Sequence, residues 1–175
     1  MSTLVKTWLD NAILQSVAES YLDLLPGFGT KNLSLDVVLS KGVNHPELNP
    51  NGKGATALTQ IQIDWFKAHY DIVSHYPSDA SGFSATLFRS KETGEYTLSF
   101  RSTEYQLQSL GGDWERDGAN AADGDISKYG FALGQLASME TFYANLKQGK
   151  TWNNVSEQCG NKWGQRRFSK NFLIH

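Results

Sequence analysis

The chain has one cysteine, four prolines and no long apolar run in 175 residues. Cys159 stands alone, so no intrachain disulfide can staple the fold, and cysteine usage leaves the redox compartment open. No stretch approaches the ~20 apolar residues that a membrane-spanning helix needs, so no transmembrane segment is expected. An excess of either charge is also missing: 16 Lys and Arg stand against 18 Asp and Glu, a net charge of −2. Such a balance creates no field to draw in nucleic acid or an anionic membrane, and both are disfavoured as partners. Met1 to Asp10 has no basic start and no uninterrupted apolar segment, so no N-terminal signal peptide is expected. Export guided from the C-terminus would leave the same N-terminus, and localisation stays open. His45, His69, His75 and His175 show neither H-E-x-x-H spacing nor a paired cysteine, so no metal site is assigned to them.

What is present is an ordinary globular composition, 39% hydrophobic and 19% charged, with length for one domain and one core. The chain is organised around Gly82 to Gly124. Phe83, Ala85 and Leu87 alternate with Ser84, Thr86 and Phe88, and Tyr96, Leu98 and Phe100 alternate with Thr97 and Ser99. This period of two predicts two β-strands, joined by a hairpin loop from Ser90 to Gly94. Phe100 is expected to be buried and Lys91 to sit in an exposed turn.

Before the hairpin, Ser2 or Thr3 is placed to cap a helix reaching about Leu25. Its stripe is Val5, Trp8, Leu9, Ala12, Ile13, Val17, Tyr21 and Leu24, and Pro26-Gly27 ends it. Residues 28–57 read as loop around a short element from Leu33 to Leu39. Thr59-Gln60-Ile61-Gln62 fits a capping box that opens a helix to about Tyr70. Asp71 to Tyr76 then forms a short strand or an extended exit. After the hairpin, Tyr129, Ala132, Leu133, Leu136, Met139, Tyr143 and Leu146 predict a helix from Tyr129 to Lys147, with Ser127 as its cap and Gly149 as its stop.

Phe100-Arg101-Ser102-Thr103 at a strand end, then Gly112-Asp113-Trp114-Glu115-Arg116-Asp117-Gly118 and a long amphipathic helix, resembles the front half of a class 3 (fungal-type) lipase. The likeness is closest to bacterial members of that α/β-hydrolase family, which often sit on large secreted proteins with calcium-binding repeats. It runs from the first helix to about Gly149. In that family a strand ending in G-x-S-x-G should follow, with an acid and a histidine later. Residues 150–175 contain no such elbow. Their 4 basic residues and 1 acidic residue after Lys150 give +3, whereas the 12 basic and 17 acidic residues before them give −5.

The resemblance implies carboxylic ester, possibly triacylglycerol, hydrolysis through an acyl-enzyme, and it points to Ser102 and Thr103 as oxyanion-hole donors. A plain polar turn at the strand end is the other reading, and both stay open. The acidic cluster Asp113, Glu115, Asp117, Asp123 and Asp125 also has two readings. Asp113-x-Glu115-x-Asp117-Gly118 copies the opening of a calcium loop, but Gly124 occupies the twelfth position, where a bidentate acid belongs. Ion pairs with Arg101 or Arg116 and helix-cap contacts are the preferred account, and calcium is the one cofactor candidate. Ser84, in Gly82-Phe83-Ser84-Ala85-Thr86, begins a strand and so is no nucleophile elbow.

The expectation is an α/β chain: residues 1–149 as the N-terminal part of a lipase-like α/β-hydrolase domain, and 150–175 as a divergent, poorly ordered tail. No catalytic residue is identifiable, so a chain cut short near Lys150 by truncation or frameshift should be inactive alone. Self-association through an exposed sheet edge is a further expectation. The rival is a non-catalytic calcium-binding or interaction module.

Overall fold

The computed structural model describes residues 3–20, 22, 39, 58–101 and 122–150. In chain order the elements are α1 (Thr3–Ala18), α2 (Gln60–His69), β1 (Tyr70–Tyr76), β2 (Ala85–Ser90), β3 (Tyr96–Phe100), α3 (Ala122–Tyr129) and α4 (Leu133–Lys147). The strands form a three-stranded antiparallel sheet in the order β1-β2-β3. The fold is mixed α/β. Helices cover both faces of the sheet.

The central strand explains that arrangement. Ala85, Thr86, Leu87 and Phe88 are all buried, so the two-residue period sends apolar side chains to both sides. On one side Phe88 and Ile72 pack with Ile63 and Phe66 of α2 and with Ile13, Leu14 and Val17 of α1. Phe66 meets Phe88 edge to face, with ring centroids 5.7 Å apart. On the other side Ala85 and Leu87 join Val73, Leu98 and Phe83 beneath Phe142 and Leu146 of α4. Ile72 pairs with Phe88 but Ser74 with Leu87. The extra residue, Val73, makes a β-bulge that resets which side chains face which layer. Beyond it His75 pairs with Thr86 in the core, its Nδ1 in hydrogen-bond contact with Thr86 Oγ1 at 2.8 Å.

Local signals placed several elements. Gln62 N donates to Thr59 Oγ1 and Thr59 N to Gln62 Oε1 at 2.8 Å, so the capping box forms at the start of α2. The Asp71 to Tyr76 segment is strand, and α4 gives way at Gly149. His69 closes α2, stacked on Trp65.

Other expectations are corrected. α1 ends at Ala18 instead of near Leu25: buried Ser20 donates through its Oγ and its N–H to the Val17 carbonyl, turning the chain away. Thr3 is the first residue of α1, and Ser2 lies outside the described residues. Val5, Trp8, Leu9 and Ala12 of the expected stripe are exposed, and Leu14 takes its place in the core.

The helix predicted from Tyr129 to Lys147 starts four residues later, at Leu133, and keeps its end at Lys147; Tyr129 is the last residue of α3. Gly130 donates its N–H to the Ile126 carbonyl at 2.9 Å and has φ +87, a left-handed conformation that stops α3 and lets the chain turn into α4. Ser127 therefore sits within α3 rather than capping a helix. The buried residues of α4 are Phe142 and Leu146, whereas Leu133 and Leu136 are exposed. Phe100 is half-buried at the end of β3. Residues 33–38 and 151–175 lie outside the described residues, and Leu39 belongs to the core.

Two long-range ties lock the layers. Lys91 Nζ lies 3.3 Å from the Asp71 carboxylate and donates to the Lys67 carbonyl in the last turn of α2. Lys91 sits in the exposed turn expected of it, and its side chain also caps the C-terminus of α2. On the opposite edge, Arg101 N donates to Ser84 O at 3.0 Å, which turns the carbonyl of the preceding Phe100 outward from the sheet. Gln15 Nε2 of α1 donates to that carbonyl at 2.9 Å, and Gln15 Oε1 accepts from Ser99 Oγ.

Phe88→Ala should therefore cost ~3 to 5 kcal/mol. Lys91→Ala should cost about 1 kcal/mol, from the lost cap and a partly exposed ion pair. Guanidinium denaturation with matched slopes measures both; equal shifts in midpoint would mean that β2 is not the core strand.

Candidate functional site

A cleft of about 270 Å³ opens where β3 ends. Three parts of the chain wall it. The loop between β1 and β2 contributes Gly82, Phe83 and Ser84, and the end of β3 contributes Phe100 and Arg101. The turn after α3 and the first half of α4 contribute Phe131, Ala132, Gln135, Leu136 and Met139. Phe83 and Phe100 pack ring against ring at 5.8 Å, making a continuous aromatic side. Among the described residues Arg101 is the one titratable member of the lining, and its Nε is buried.

The loop is fixed by hydrogen bonds rather than by apolar packing alone. Asp79 Oδ1 accepts from Ser81 N at 2.8 Å and from Ser81 Oγ at 2.6 Å, closing a turn on its own carboxylate. Tyr76 Oη donates to Asp79 Oδ2 at 3.2 Å, and the Ser81 and Ser138 hydroxyls lie 3.3 Å apart. Ser138 belongs to α4, so this network ties the loop to the helix across the cleft. The helix can come this close because of Gly134: a Cβ there would stand 3.3 Å from Ser81 Cβ. Burial opposes ionisation of Asp79, but the hydrogen bonds from Ser81, Ser138 and Tyr76 outweigh it and hold the carboxyl below its ordinary range. Burial, then the Asp79 charge, pushes the Tyr76 phenol up.

Of the residues singled out in the sequence, Ser102 and Thr103 lie outside the described residues, as do Asp113, Glu115 and Asp117. Arg101, immediately before Ser102, lines the cleft. Asp123 and Asp125 stand in the first turn of α3 rather than in a loop. There they complement the helix dipole. Two residues apart on a helix, they project some 200° from each other. Ser84 lines the cleft, but it is buried and its Oγ donates to the Tyr76 carbonyl at 2.9 Å. Its role is structural. His69 and His75 do not line the cleft. Among the described residues no three His, Cys, Asp or Glu side chains gather as a metal would require, and no helix is long and apolar enough to cross a membrane.

Sequence reasoning missed Asp79, Ser81 and Ser138. The signal was local for the first two: Pro77-Ser78-Asp79-Ala80-Ser81-Gly82 is turn chemistry with an aspartate placed to accept from the backbone two residues on. Ser138 had none. No protein-family model matches the chain, and neither a curated protein nor a solved structure does.

Because folding favours the Asp79 carboxylate, its contribution is present above ~pH 4 and is lost as the pH falls through the lower value it has in the fold. Asp79→Asn should lower stability at pH 7 by about 1 kcal/mol, a figure discounted for partial exposure. The gap to wild type should close on acidification below ~pH 4. Thermal melts from pH 7 to 3 test this; a constant gap would mean that the charge on Asp79 contributes nothing.

Proposed function

We propose that this chain supplies the substrate-binding and oxyanion side of an ester-hydrolase domain of the α/β-hydrolase type, and that the described part has no nucleophile of its own. One observation carries the reading: an apolar cleft opens at the end of β3, lined there by Phe100 and Arg101, the two residues that precede Ser102-Thr103 in the sequence. The resemblance assigns oxyanion donors to Ser102 and Thr103, and Phe83, Phe100, Leu136 and Met139 offer apolar contact to the acyl part of an ester. The sheet, covered by helices on both faces, supports the same reading, since a scaffold of this kind holds loop donors rigidly at a strand end.

Acyl transfer also needs a serine within reach of a histidine base. Among the described residues, Ser84 is the one serine lining the cleft, its hydroxyl is committed to Tyr76, and neither described histidine stands there. Binding without turnover is the consequence.

Two measurements test this. A fluorophosphonate probe should label no serine, and 4-nitrophenyl butyrate should hydrolyse at the buffer rate; stoichiometric labelling would overturn the claim that the nucleophile is missing. With methyl-labelled methionine the chain gives two signals, from Met1 and Met139. Ethyl butyrate should shift that of Met139 alone. If no ester moves it, the cleft is not an acyl site.

A further inference from the structure

We draw no further inference here: the strongest candidate, the exposed apolar patch that Phe131, Leu133 and Leu136 form around the start of α4, runs into the cleft already described, and nothing in the structure shows what covers it.

Discussion

Burial of β2 on both faces is the constraint on which the rest depends. From Gly82 to Phe88 no residue is left exposed, so this short run needs cover above and below. A hairpin alone cannot supply it, because two strands leave at least one face in water. α1 and α2 close one side through Phe66 and Val17, and α4 closes the other through Phe142 and Leu146. The bulge at Val73 is part of the same solution. It lets β1 present Ile72 to the first layer and Val73 to the second, and then bring buried His75 opposite Thr86, where the two side chains satisfy one another. A polar pair so deep is tolerable only because it is hydrogen-bonded.

The parts of this fold legible in the sequence are those specified by residues close together in the chain. The capping box at Thr59 and Gln62, the strands on either side of Ser90 to Gly94, and the stop at Gly149 each rest on a few neighbours, and each stands where the pattern put it. The misplacements share another cause. The α1 stripe was read from its period, but the period does not say how far along the helix the sheet extends. Packing begins only at Ile13, so Val5, Trp8 and Leu9 face outward. In the α3 to α4 stretch, Gly130 interrupts a hydrophobic repeat that continues numerically across it, and a repeat counted by sequence position cannot register a break in the backbone. Lys91 stands in the exposed turn expected of it, but its ties to Asp71 and the Lys67 carbonyl lie twenty or more positions away and leave no local trace.

The candidate site was legible in one residue and hidden in the rest. Arg101 follows from the strand end, whereas Gln135, Leu136 and Met139 reach the cleft only through the path of α4, fixed by Ser138 meeting Ser81 and by the close approach at Gly134. Leu136 and Met139 belong to the apolar repeat that predicts the helix; Leu136 is exposed, and both side chains line the cleft. An apolar helical stripe does not distinguish a side chain that meets the core from one that meets a cavity, since the demand for low polarity is the same in both.

Gln15 has a consequence that concerns behaviour in solution. Its amide occupies the outward carbonyl of Phe100 in the way a neighbouring strand would, so an incoming chain cannot pair there while α1 is seated.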